Sequence, residues 1–314
     1  MKRYFSASVS ILLFFLMLLF PELVFQGSSN GLLLWFRTVL PTLLPFFIAS
    51  NFLLRTDAAL WLSRLAFPVL GRFFHVSLYG SFAMITGFFC GCPMGAKVTA
   101  DLLDKQRISL QEGKYLLSFC NNTSPGFIVS FLVFQCLQAP SLAVPSLMLI
   151  LGVPLLCSLF FRKFLHISSP RFDSHMPASR NSGSSLPDSL IDTCIMDAIE
   201  NITRIGGYIM LFSILFTLLS SLSWLPLLFQ VLLIPSMEMT NGVIYLCSLD
   251  LSPVACYTAV MFLTSFGGLC CVAQTASVIR KTDLKIFPYI AEKLATAVVT
   301  SLISCLFFTF IFKN

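Results

Sequence analysis

Apolar positions in this chain fall into long, nearly uninterrupted runs. They cover residues 5–20, 31–54, 78–103, 110–137 and 147–161, and then 205–222, 225–234, 254–279 and 290–312. An α-helix needs about 20 apolar residues to cross a hydrocarbon layer about 30 Å thick. A membrane barrel would instead show segments of about ten alternating residues. The pattern predicts an all-α polytopic membrane protein. Residues 58–74 read differently, because Arg64 and Arg72 lie among Trp61, Leu65, Phe67 and Leu70. That mixture predicts an amphipathic helix at the membrane interface. Residues 191–204 form a second amphipathic run ahead of 205–222.

The one clearly hydrophilic stretch, 166–192, contains SSPRFDSHMPASRNSGSSLPDS and predicts a linker between two halves. The N-terminus, MKRYFSASVSILLFFLMLLFPE, has the basic start and apolar core of a signal peptide. It lacks a small-x-small cleavage site near 21–26, so it is read as a retained first helix.

The apolar runs are interrupted where a spanning helix should be simplest. GFFCGCPMGAK (87–97) places Gly91, Pro93 and Gly95 in mid-run, followed by Lys97. Proline removes a backbone donor and glycine permits a sharp reversal. Irregular backbone cannot face lipid, so the break is predicted to be buried or to line a wet cavity. A helix restarting near Met94 would offer free amides, and with Lys97 these would suit an anion. Equally, Lys97 can pair with Asp101 one turn on and serve only the fold. FCNNTSPG (119–126) brings Asn121, Asn122, Thr123 and Ser124 to a second break, read either as a polar-solute site or as an interfacial loop. EMTNG supplies Glu238, Thr240 and Asn241. Glu238 is read either as a ligand for a coupling cation or proton, or as a headgroup-level charge. A fourth break, SFGGLCCVAQ (265–274), contains Gly268 and Gln274.

Aligning 91–97 with 268–274 makes the halves weak repeats, each break followed by a charged turn, 104–109 and 280–287. With 78–103 as a re-entrant hairpin, most Lys and Arg residues fall on the side of Lys2 and Arg3, the expected cytoplasmic bias. Three crossings then separate two hairpins, and the repeats are predicted to be inverted.

Composition narrows the function classes. Charged residues make up 11% of the 314 residues and hydrophobic ones 57%, including 33 phenylalanines. A soluble chain carries roughly 25% charged residues. The net charge of +6 is read as topogenic, and no basic patch interleaved with aromatics points to nucleic acid. The eleven cysteines lie mostly in apolar runs and suggest no disulfide framework. Cys90, Cys92, Cys270 and Cys271 do not have zinc-site spacing. With three histidines and no nucleophile–base pair, phosphate loop or paired catalytic carboxylates, no enzyme is expected.

GCPMGAK with DLLDKQRIS, LLSFCNNTSPGF, EMTNG, SFGGLCCVAQTASVI and VLPTLLPFFIASNFL together resemble sporulation integral membrane proteins of the YlbJ (SpoVV) type. These carry the nucleoside-recognition, or gate, domain. The resemblance runs from Trp35 to the end. It implies an arrangement similar to the core of concentrative nucleoside transporters, with residues 1–30 as an N-terminal membrane helix, 31–165 and 193–314 as two gate-like repeats, and 166–192 between them. It further implies movement of a small polar or anionic solute, dipicolinate in the sporulating members, by exposing a midplane site to alternate sides. Gly91, Pro93, Gly95 and Lys97 would shape one hairpin tip; Asn121, Asn122 and Thr123 would read polar groups; Glu238, Thr240, Asn241, Gly268 and Gln274 would complete the site. The rival expectations are a nucleoside or other metabolite carrier, and a non-transporting scaffold of the spore envelope. The expected partners are a small solute and the bilayer of a bacterial cell membrane, in sporulating cells the outer forespore membrane. No cofactor is expected, and proton or sodium coupling and homo-oligomer formation are left open.

Overall fold

The structure, a computed structural model, describes residues 2–56, 58–164, 190–222, 224 and 226–311. Most of the predicted linker therefore lies outside the described residues. Among the described residues the protein is helical without strands. The elements are α1 (Lys2–Leu19), α2 (Pro21–Leu34), a π-helical turn (Trp35–Val39), α3 (Leu40–Arg55), α4 (Ala58–Phe74), α5 (Leu78–Cys90), α6 (Met94–Asp104), α7 (Leu110–Phe119), a π-helix (Phe127–Leu137), α8 (Ala143–Phe164), α9 (Leu190–Ser220), a π-helical turn (Phe229–Leu233), α10 (Met239–Ser248), α11 (Pro253–Phe266), α12 (Gly268–Ile279) and α13 (Ile286–Ile311).

Among the described residues four helical stretches are long and apolar enough to cross a membrane: Pro140–Lys163, Leu190–Ser220, Pro253–Ile279 and Ile286–Phe310. Two bent pairs bring the total to six if each is one span. Ile11–Leu19 meets Pro21–Val39 at 104°, and Trp61–Phe74 meets Leu78–Cys90 at 95°. Large apolar side chains point outward along these helices, Phe14, Leu18, Met148, Phe160, Leu302 and Phe310 among them. In water that surface would aggregate; in lipid it is the expected exterior.

Close backbone contact builds the bundle. The α2–α3 run lies antiparallel along α9. Gly27 lies against the main chain at Ile214, and Gly31 against that at Met210. Trp35 lies flat on Gly206 and its indole N–H donates to Ile202 O at 2.9 Å. At the far end Asn51 donates to Cys194 O at 3.2 Å and Arg55 pairs with Asp197 at 2.7 Å. On the other side α11 and α13 run antiparallel, with Tyr257 against Phe308 and Ser265 hydrogen-bonded to Thr300 at 3.1 Å. Between membrane helices small residues permit this approach, and packing rather than water exclusion supplies the attraction.

The first break is a hairpin. Ser77 caps α5 by accepting from Gly80 N, and Ser109 caps α7 by accepting from Glu112 N. The Glu112 carboxylate accepts from Ser77 N at 2.6 Å, which ties the start of α5 to the start of α7. At the tip Gly91 has φ +86°, a conformation that favours glycine, and α6 folds back so that Gly95 touches Gly87.

The fourth break differs from expectation. Gly267 and Gly268 both have positive φ (+87° and +75°), yet α11 and α12 continue as one 27-residue span instead of folding back. The chain stays nearly in line because the loop at 236–237 takes over the lost helical bonds. Leu269 N donates to Ser236 O at 2.6 Å and Cys270 N to Met237 O at 3.1 Å. The segment 268–274 is therefore not a second hairpin tip matching 91–97. The order helix–loop–helix, then broken helix, occurs twice: 78–104 then 110–137, and 227–248 then 253–279.

Candidate functional site

Each loop docks on the break that follows it. A Cβ at Gly87 or Gly95 would overlap the carbonyl oxygen of Cys120, so glycine at both positions lets the α5–α6 hairpin press onto the end of α7. Gly91 lies against Ser124 in the same way, and Gly268 lies on Ser236 O. Gly91, Gly95 and Gly268 thus permit close backbone approach, and Pro93 is the N-cap residue of α6. Three amides at the start of α6 have acceptors: Met94 N donates to Gly91 O, Ala96 N to Asn121 Oδ1 and Lys97 N to Pro93 O. These three amides are therefore not free for the expected anion site with Lys97. Lys97 is joined to Asp101 at 2.6 Å.

The two docked breaks meet at one buried polar centre. Cys92, Asn121, Asn122 and Thr123 from the first half face Thr264, Phe266, Gly267, Cys271, Tyr289 and Lys293 from the second. The space between them is small, a cavity of about 10 Å³ with room for roughly one water. Asn121 is the hub. Its amide N–H₂ donates to Thr275 Oγ1 and Tyr289 OH, both at 2.9 Å, and its Oδ1 accepts from Ala96 N at 3.4 Å. Asn122 Nδ2 donates to Phe119 O at 2.6 Å and caps the frayed end of α7. Thr123 Oγ1 donates to Thr264 O at 3.0 Å, across to α11.

Lys293, on α13, is 3% exposed. Its Nζ donates to Asn121 O at 3.0 Å and to Asn122 Oδ1 at 3.1 Å. Both acceptors are neutral, and among the described residues no carboxylate forms an ion pair with it. A buried ammonium without a counter-charge is costly unless fully hydrogen-bonded, and at membrane depth it marks function. It stands on a buried polar stripe of α13: Tyr289, Lys293, Thr296, Thr300 and Ser304. The spacing of three and four residues puts all five on one helix face. That stripe is the sequence signal for Lys293 and Tyr289, which lie away from the glycines and prolines that mark the breaks.

The remaining sequence candidates lie outside the gap. Glu238, 4% exposed, is the N-cap of α10, accepting from Thr240 N at 3.1 Å and Asn241 N at 2.8 Å. Asn241 donates from Nδ2 to Ser213 Oγ on α9 at 2.9 Å. Gln274 is buried and donates to Cys270 Sγ at 3.2 Å. Thr240 is buried beside the cap. The structure thus groups Asn121, Asn122 and Thr123 with second-half residues, and gives the EMTNG group and Gln274 supporting positions.

These features define a multi-pass α-helical integral membrane protein whose broken helices enclose a polar centre. The chain is 26% identical, over 313 residues, to the sporulation integral membrane protein YlbJ of Bacillus subtilis (strain 168), the match covering 88% of this chain and 76% of that protein. The resemblance to YlbJ-type sporulation membrane proteins therefore extends over most of the chain. No family profile matches it, and no solved structure matches it significantly.

Proposed function

We propose that this protein is a membrane carrier for a small polar or anionic solute, bound at the gap between Asn121–Thr123 and Lys293. The observation that carries the reading is the Lys293 ammonium, buried on the wall of a polar gap with only neutral acceptors. An ammonium so placed favours a solute bearing a carboxylate or a similar anion. The paired order of helix–loop–helix and broken helix supports two related halves in which 91–95 corresponds to 235–238 and 120–126 to 266–268. Broken helices meeting at a central site are the arrangement by which many carriers expose a solute to alternate sides. The resemblance to a sporulation protein supports a dipicolinate-type dianion as solute and the outer forespore membrane as location.

The test is uptake into proteoliposomes with purified protein, comparing aromatic dicarboxylates with nucleosides. Uptake of a dicarboxylate that falls at least about tenfold in Lys293→Ala and Asn121→Ala supports the reading, a change of about 1.4 kcal/mol at the site. Preference for nucleosides would assign a different solute to the same gap. No uptake or binding of either class, with both variants complementing a null strain, would leave a scaffold role instead.

A further inference from the structure

The acceptors around Lys293 are of the kind that hold a metal cation. Asn121 O is a main-chain carbonyl just beyond the C-terminal end of α7, where the helix dipole is negative. Asn122 Oδ1 is an amide oxygen, and the hydroxyl-bearing residues Thr123, Thr264 and Tyr289 line the same gap. Carriers with unwound helices use such carbonyls and helix C-termini to coordinate a free sodium ion. Here the positive charge at that place is covalently attached. Lys293 reaches in from α13, and two of its three N–H bonds end on Asn121 O and Asn122 Oδ1.

We propose that the Lys293 ammonium is a tethered monovalent cation, filling an oxygen site that would otherwise take a free one, so that the protein needs no sodium to order its centre. The third N–H of Nζ has no hydrogen-bond acceptor among the described residues and remains for the gap. Glu292, the neighbouring residue, is only half-buried, and among the described residues no carboxylate pairs with Lys293; the thiols of Cys92 and Cys271 complete the lining. Removing the lysine side chain uncovers the oxygens and leaves space where the stem ran. The uncovered site is then open to a small monovalent cation, and methylammonium carries the same donor group as the lost side chain.

The inference deepens the carrier reading by assigning its ion dependence, but its test reads stability and stands apart from uptake. Full-length protein in detergent is melted in choline, sodium, potassium and methylammonium chlorides at equal ionic strength. The wild type is expected to melt at one temperature in all four. Lys293→Ala, and Lys293→Ser as a second variant, are expected to melt lower in choline. Sodium or methylammonium should then raise the midpoint saturably, by about 3 °C. Saturable stabilisation of the wild type by sodium overturns the proposal. So do folded variants that respond to neither cation, and variants that stay unfolded at saturating concentrations of both. Cation rescue without any solute uptake would sink the carrier reading and leave this inference standing.

Discussion

Lys293 Nζ and the main-chain oxygen of Asn121 are 3.0 Å apart in space and 172 residues apart in sequence. This bond joins the irregular segment that follows α7 to the regular helix α13. With Asn121 Nδ2 bonded to Thr275 and Tyr289, the same residue is held by three side chains from the second half. The centre is therefore a shared construction, and damage to Asn121 should be felt on both sides of it.

Asn121→Ala leaves Tyr289 OH and Thr275 Oγ1 without their amide donor and Ala96 N without its acceptor, all in a buried place. Each orphaned buried group costs about 1–3 kcal/mol. The expected result is a melting midpoint lowered by several degrees, checked by thermal unfolding in detergent, and loss of solute binding beyond what the fall in stability explains.

Adjacent glycines on α9 should respond in opposite ways. A Cβ at Gly206 would press into the ring of Trp35, which is held by its own bond to Ile202 O, whereas a Cβ at Gly207 meets nothing within 4 Å. Gly206→Ala is expected to destabilise by about 1–3 kcal/mol through overpacking. Gly207→Ala should be neutral or stabilise by up to about 1 kcal/mol through helix propensity. Thermal unfolding of the two variants side by side checks this.

Glu238→Ala removes both acceptors of the α10 cap and should cost about 0.5–2 kcal/mol. Glu238→Gln keeps one acceptor oxygen and should fall between. If Glu238 served only as a coupling site, the two variants would lose transport equally while unfolding like the wild type, and the capping account would fail.

Lys97 and Lys293 separate in a paired experiment. Lys97 is bonded to Asp101, whose side chain is 34% exposed, and a partly solvated pair of this kind contributes about 0–1 kcal/mol. Lys97→Gln is expected to shift the midpoint little and to leave solute affinity within about twofold. Lys293→Ala should weaken affinity at least about tenfold. The reverse order, measured by equilibrium binding, would return the anion site to the hairpin tip.

Much of the architecture could be read from the chain because apolar length and helix breakers are local signals. The apolar helices ending near Phe161 and running through Ile205, the helix at 58–74 and the breaks at 91–95, 119–126 and 265–268 all follow from residues next to each other. The direction taken after a break is not local. Gly267–Gly268 resembles a hairpin tip in sequence, but Ser236 and Met237 bridge it from another element and keep α11 and α12 in line. The site was half legible for the same reason. Asn121–Thr123 announce themselves as polar residues beside proline and glycine, while Lys293 sits in YIAEKLATAVV with Glu292 beside it and resembles a charge near a helix end. Only its alignment with Tyr289, Thr296 and Thr300 on one face marks it as inward.

The separation between Lys293 and its two oxygens has a consequence for biosynthesis. A ribosome releases Asn121 and Asn122 long before the ammonium that will meet them, so the early membrane intermediate holds these groups without their later partner. A protease that samples nascent membrane chains would find its cleavage window in that interval. Degradation in the cell should then track how soon α13 inserts after α7, even where the finished protein is stable.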